Sequence, residues 1–571
     1  MNYLRMIVLF LGFTLLFSSL SEAQVPYSET NFRSPLDIPL VLAGTFGELR
    51  SNHFHSGIDI KTKGVEGFPI LAIEDGYVSR VKTNSGGYGK ALYLSHYNGY
   101  VSVYAHLQSF HSDISAYLLE AQYEEKSFSI DLFPDANTFN FSKGDTIAWT
   151  GNTGSSTAPH LHFEIRDAKT QEVINPLLFG FNAKDTTPPT INSLHVYPLD
   201  DHAVVNIPGD TLRIATTKTS RNSFGIDSMN FKVHGWVGFG IDVFDQLDHA
   251  PNKNGVYSVE LFIDSSLIYH HDMERFSFSE TRYINSFMDF HAKKKHGYKP
   301  QKSFIDPHNN LSIYEQVKDR GGVCFDSHDS HTGAYVIKDI QGNTSSLFFD
   351  FSSDTSLHAP EKNQGNHVFL YDEDNTYEGQ GLQLSLKPNS LYNDISFTHK
   401  TRKSKGGFSG DIHCIHNEET PVHLPYSIAL IVDSTIEVDK EKSLICSLTD
   451  KNEYSCLPSE WHGDTLRAMA REFGDFGIVV DTIAPTLRTK HFKEDMTKET
   501  FMSFLFEDTL SGESSYDAFV DGEWVLLEHD PKNKTLIHYF DGKISPGQHE
   551  LLIVVKDLVN NEKRMKLEFV R

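Results

Sequence analysis

His160-Leu161-His162-Phe163-Glu164-Ile165 alternates polar and apolar residues, so it reads as a strand with His160 and His162 on one face. Pro159 fixes the entry and removes a donor that a strand start does not need. Upstream lies His55-Ser56-Gly57-Ile58-Asp59. In an extended segment His55 and Asp59 also share a face, and Ser56-Gly57 makes the helical alternative poor. Gly57 is expected to clear the space between two side chains aimed into one cavity. Between these motifs, Leu92–Ser95 and Tyr100–His106 flank Asn98-Gly99, a strong hairpin signal, so Tyr104-Ala105-His106-Leu107 ends a hairpin's second strand.

A single strand His is more often a core or surface residue, and the chain has 29 of them. Here three motifs follow in order, with suitable residue types at matching parity. Two neutral imidazoles and one carboxylate would hold Zn2+ with a net charge of about +1 and one open position. The two remaining histidines could then supply proton chemistry, and the combination points to hydrolysis.

These residues resemble the lysostaphin-type peptidoglycan endopeptidases, from about Gly44 to Phe179. The resemblance runs through His53–Ile60, Pro69–Ala72, Asp75–Val78, Gly86–Gly89, Tyr104–Leu107, Lys143-Gly144-Asp145, Gly151–Glu164 and Asn175-Pro176. It implies an antiparallel β fold with a groove over one zinc ion held by His55, Asp59 and His162. It assigns His106 and His160 to the attacking water and the developing oxyanion, without dividing the two tasks between them. Arg50 and Asn52, close to the first ligand, are candidate substrate-binding residues. The chain departs from the short family form at 108–142, an insertion between His106 and Lys143. Ile114, Tyr117, Leu118 and Ala121 have helical spacing after a capping Ser112 or Asp113, and Phe128, Ile130 and Leu132 then alternate. The insertion is expected to wall the groove and restrict which cross-links enter.

At 571 residues the chain exceeds one core, and about three to five domains are expected. Residues 1–23 read as a signal peptide: Arg5, an apolar run Met6–Leu16, and Ser21-Glu22-Ala23 before a cut at Gln24. Arg5 and Glu22 cancel, so the formal charge stays at −25 after cleavage. That argues against nucleic acid as a partner. No later run is apolar enough to span a bilayer. The expectation is an exported protein, periplasmic rather than extracellular.

The fold class expected is mainly β: a peptidase domain over 24–184, then about three Ig-like β-sandwich modules over 185–352, 353–480 and 481–571. Two repeats mark them. Asp185-Thr186-Thr187-Pro188-Pro189 and Asp481-Thr482-Ile483-Ala484-Pro485 each lead into a strand. Lys338-Asp339-Ile340-Gln341-Gly342-Asn343 and Lys556-Asp557-Leu558-Val559-Asn560-Asn561 each read as a turn between two strands. Residues 283–320 read as a polar loop or insertion, and Asp326–His331 as a polar turn rather than a second metal site. Cys446 and Cys456 flank Asp450-Lys451-Asn452 and are the best-placed pair for a hairpin disulfide.

The function expected is zinc-dependent cleavage of peptidoglycan peptide cross-links, with the C-terminal modules positioning the enzyme or binding a cell-envelope partner. Two alternatives are a non-catalytic regulator of another wall hydrolase using the same groove, and a wall-binding or adhesion protein acting through its modules. All five expected metal and catalytic positions are present, which argues against the regulator.

Overall fold

A computed structural model of the chain buries the central strands of the N-terminal domain, Tyr100–Ala105 and His160–Asp167, on both faces. It describes residues 27–571 except Asn182, 207–210, 227–230, His249, 360–366, Lys405, 433–437 and 449–452. The signal segment and the Asp450-Lys451-Asn452 turn lie outside the described residues.

The domain's strands are β1 (Leu42–Gly44), β2 (Ile58–Lys61), β3 (Pro69–Leu71), β4 (Gly76–Lys82), β5 (Ala91–His96), β6 (Tyr100–Ala105) and β7 (Leu107–Phe110). Helix α1 (Ser112–Glu125) follows, then β8 (Asp131–Leu132), β9 (Asn140–Phe141), β10 (Thr146–Thr150), β11 (His160–Asp167) and β12 (Val173–Ile174). The main sheet runs β1-β2-β11-β6-β5-β4-β8, and β3-β10-β7 form a second sheet. On β11, Leu161, Phe163 and Ile165 turn into a core shared with Ile58, Ile60, Leu92 and Tyr104, all fully buried. The alternate residues turn to the other face of the strand.

The inserted helix forms where its spacing predicts, with Ile114 and Leu118 buried. Its cap differs: His111 sits at the N-cap and Ser112 is the first helical residue. The helix reaches the C-terminal module as well as its own core. Tyr123 donates to Asp541 at 2.5 Å and meets Trp524 edge-on with ring centroids 5.3 Å apart.

The next unit, over 185–352, is mainly β. Its strands form one twelve-stranded sheet in which Lys232–Phe244 also pairs in parallel with Thr344–Ser353, curling the sheet back on itself. The thirteen-residue strand Lys232–Phe244 is long enough to serve both edges. Residues 283–320 are not a loose polar loop. Two short helices, Ile284–Phe287 and Phe290–His296, bury Phe287 and Met288 against Phe46, Phe54 and Phe276 beside the N-terminal domain. The apolar residues spaced through this segment outweigh its Lys293-Lys294-Lys295 run.

The third unit has two five-stranded sheets and the last has two four-stranded sheets, each pair around its own core. Cys446 and Cys456 face each other on paired strands and are disulfide-bonded, while Cys324 and Cys414 are free. His328 and His331 part company: one contacts Thr355 and the other Asp264. Among the described residues no helix is long and apolar enough to cross a membrane.

Both sequence repeats fold as paired clamps. Asn343 donates to Asp339 and to the carbonyl of Asp185, and Asn561 donates to Asp557 and to the carbonyl of Asp481. Each late hairpin turn thus fastens the start of its own unit.

Candidate active site

Sheet register brings the first site residues together. Strand β11 lies between β2 and β6, with His162 opposite both Asp59 and Ala105. His106 follows Ala105 directly, and His160 lies one pleat along the same face. His55 precedes β2 and folds back over it. Gly57 is required for a reason other than the expected one: a Cβ there would lie 2.2 Å from the Phe163 carbonyl, so it permits the close approach of β11.

His55 Nε2, Asp59 Oδ1 and His162 Nδ1 lie 3.0 Å from one another. The free ring atoms are set by the bonds on the far side of each ring. His55 Nδ1 donates to the Thr45 carbonyl at 2.8 Å, and His162 Nε2 donates to Glu164 at 2.9 Å. His55 Nε2 and His162 Nδ1 therefore both present lone pairs beside a carboxylate oxygen. Three convergent lone pairs repel one another unless a cation sits among them, so this donor set fits a metal, and its nitrogen–oxygen chemistry fits zinc.

His106 and His160 stand next to this group, with ring centroids 4.8 Å apart. His106 Nδ1 bonds the Thr153 carbonyl at 2.9 Å and His160 Nδ1 the Ala158 carbonyl at 2.8 Å, which frees both Nε2 atoms. His160 Nε2 lies 3.4 Å from Asp59 Oδ1. Burial, then the neighbouring His162 and His160, push His106 down to about 3, so its ring is neutral at ordinary pH. Its backbone is left-handed, with φ of 60°, a strained setting that the flanking strands β6 and β7 impose.

Four further residues buttress the site: Glu164, Ser56 and Tyr88, which lie in the sequence motifs without an assigned role, and Arg166, which lies just beyond them. Glu164 is fully buried. It accepts from His162, from Ser56 at 2.5 Å, from Tyr88, and from Arg166 at 2.8 and 2.5 Å. Arg166 also lies over the Phe278 ring, 4.5 Å from its centroid. The signal was parity: Glu164 and Arg166 continue the face of His160 and His162 at two-residue steps.

Arg50 donates to Asp59 Oδ2 at 2.8 Å and to Glu48 at 3.1 Å, so it steadies the second carboxylate oxygen. Asn52 accepts from Asn285 at 3.0 Å. Both proposed substrate contacts thus already have partners within the chain.

The C-terminal module reaches the loop before His160. Lys532 Nζ donates to the Ser156 carbonyl at 3.0 Å and to that of Asn152, and Glu528 pairs with Lys90 at 2.9 Å. Lys532→Ala should lower kcat about tenfold or less and leave metal content unchanged, because a small shift of this loop misplaces His160. Steady-state kinetics with metal analysis checks this, and unchanged kcat would make the contact merely structural.

Residues 53–117 match the model of Peptidase family M23, and residues 366–481 match that of the Zu5-like domain. The latter covers most of the β-rich unit expected over 353–480. The DD-carboxypeptidase/endopeptidase Mpg of Neisseria meningitidis serogroup B is 34% identical over 118 residues, 21% of this chain and 21% of the relative. An uncharacterized metalloprotease of Haemophilus influenzae is 34% identical over 123 residues, 22% of this chain and 20% of the relative. The match therefore spans about a fifth of the length of these curated relatives. The solved catalytic domain of lysostaphin from Staphylococcus simulans is 22% identical, covers 24% of this chain and 91% of that one, and gives a TM-score of 0.19.

Proposed function

We propose, from the premise that the N-terminal domain is of the lysostaphin-type M23 family, that this chain is an exported zinc endopeptidase cleaving peptide cross-links of peptidoglycan. The observation that carries this is the convergence of His55 Nε2, Asp59 Oδ1 and His162 Nδ1 within 3.0 Å, with two further imidazoles turned to the same space.

His55, Asp59 and His162 would hold the ion. When bound, Zn2+ supplies a Lewis acid and an acidified water at its open position. The protein's own residues do the rest. The Thr45 carbonyl and Glu164 fix the ligand tautomers. His106 and His160, each anchored through Nδ1 by a backbone carbonyl, aim Nε2 at the reacting space. Between them they take a proton during attack and return it to the leaving amine. Arg50 keeps Asp59 oriented and ionised. The 151–159 loop, braced by Lys532, and α1, which reaches the C-terminal module through Tyr123, hold the approach to the site. The relative named as a DD-carboxypeptidase/endopeptidase supports peptide-bond cleavage as the reaction.

The test is digestion of purified cross-linked peptidoglycan by the full chain, with and without a zinc chelator, read by mass spectrometry of the fragments. Loss of cross-linked dimers that chelation stops is the expected result. Intact dimers in the presence of folded, zinc-loaded protein would overturn the proposal.

A further inference from the structure

The chain contains a second buried group of acidic side chains, built from none of the active-site motifs. Asp185, Asp245 and Asp339 each offer a carboxylate oxygen within 4.8 Å of the other two, and all three are buried. They come from three places: the segment leaving the N-terminal domain, the end of strand Lys232–Phe244, and the turn before strand Thr344–Ser353. Leu247 and Ile340, close by in sequence, pack on the core of the N-terminal domain, so the group lies at the seam between the two units.

A burial this deep normally pairs each charge. Here it does not. Asp185 Oδ2 and Asp245 Oδ1 are enclosed and have no hydrogen-bond partner. The other oxygen of Asp185 accepts from Thr187 N at 2.9 Å, and Asp339 is held by Asn343. Among the described residues, no Lys or Arg forms an ion pair with any of the three. Asn254 lies directly across from Asp245, their backbones joined by bonds of 2.8 and 3.0 Å. Its amide oxygen and nitrogen are likewise buried and unpartnered. Three carboxylate oxygens therefore meet at one place, and Asp185 and Asp245 each keep a buried oxygen without a partner. Burial, followed by the two neighbouring carboxylates, pushes Asp245 up to about 8.

The related triad in the last unit shows the contrast. Asp481, Asp508 and Asp557 also converge, but each takes backbone N–H groups. Asp508 accepts from Leu510 and Gly512, Asp557 from Val559 and Asn561, and Asp481 from Ile483 and Ser511. That triad is satisfied by its own turns; the first is not.

We propose that Asp185, Asp245 and Asp339 bind a hard divalent cation of the calcium type that locks the N-terminal domain onto the following sheet. An all-oxygen donor set with three carboxylates selects Ca2+ over zinc, whose site here is rich in imidazole. Binding would satisfy both orphaned oxygens and tie together three chain segments far apart in sequence.

The test uses the full chain, stripped of metal and reloaded with zinc, titrated with Ca2+ alone by calorimetry and followed by thermal melting. The wild type should take up calcium and melt several degrees higher with it. Asp245→Asn keeps the shape but removes the unpaired charge. It should bind one equivalent less calcium, lose the calcium-dependent gain, and melt above the wild type when both are calcium-free. Asp185→Asn serves the same purpose if Asp245→Asn fails to fold. No calcium uptake by the wild type at millimolar concentration, or equal uptake by wild type and a folded variant, overturns the proposal. Neither result depends on peptidase activity, so the zinc reading stands or falls separately.

Discussion

Asp59→Ala and His162→Ala are each expected to abolish hydrolysis together with zinc, whereas His106→Ala is expected to keep its zinc and lose about 10²–10⁴-fold in kcat. The split follows from geometry. Asp59 Oδ1 and His162 Nδ1 sit in the convergent triad, so removing either takes away a donor and leaves the other two poorly matched to an ion. His106 stands outside that triad, tied by Nδ1 to Thr153 with Nε2 free for a proton. Zinc stoichiometry by atomic spectroscopy and turnover on cross-linked muropeptides measure the two effects separately. Loss of zinc from His106→Ala would move His106 into the ligand set and undo the division of roles.

Glu164→Ala is expected to cost about 3–5 kcal/mol of stability and to weaken zinc affinity by about 10–100-fold. Glu164 accepts from four side chains while fully buried, and its removal strands the buried guanidinium of Arg166. It also frees His162 to choose the wrong tautomer. Burial alone would raise the Glu164 carboxyl, but Arg166 first, then His162 and Ser56, hold it far below its usual range. The sign of the pH effect follows. A depressed carboxyl contributes stability above the unfolded value near ~4.3, and loses it as pH falls below that towards the folded value. The gap in stability between wild type and Glu164→Gln should therefore be full at neutral pH and shrink in acid. Denaturant titrations across pH 3–7 would show this, and a gap independent of pH would mean that packing, not charge, carries the effect.

Much of the site was legible because strand parity is a local property. His160 and His162 share a face whatever surrounds them, and Asn98-Gly99 sets the hairpin that delivers His106. The clamps on Asp185 and Asp481 were legible as repeats before their hydrogen bonds were known. The errors came from non-local packing. Gly57 gives room to the backbone of another strand, and residues 283–320 looked polar because their apolar members are spread among charges. Nothing local to Lys232–Phe244 says that it will pair with Thr344–Ser353 and join the strands of its unit.

The sequence by itself determined a β-rich chain, the motifs that carry the five candidate site residues, and the paired repeats, because alternation and turn chemistry act over a few residues. Only the tertiary structure decided that His162 faces Asp59 across β11, which nitrogen of each ring is free, that Glu164 and Arg166 stand behind the ligand, and that Lys532 holds the loop before His160. Those outcomes depend on strand register and module docking, which are set by burial summed over residues hundreds of positions apart.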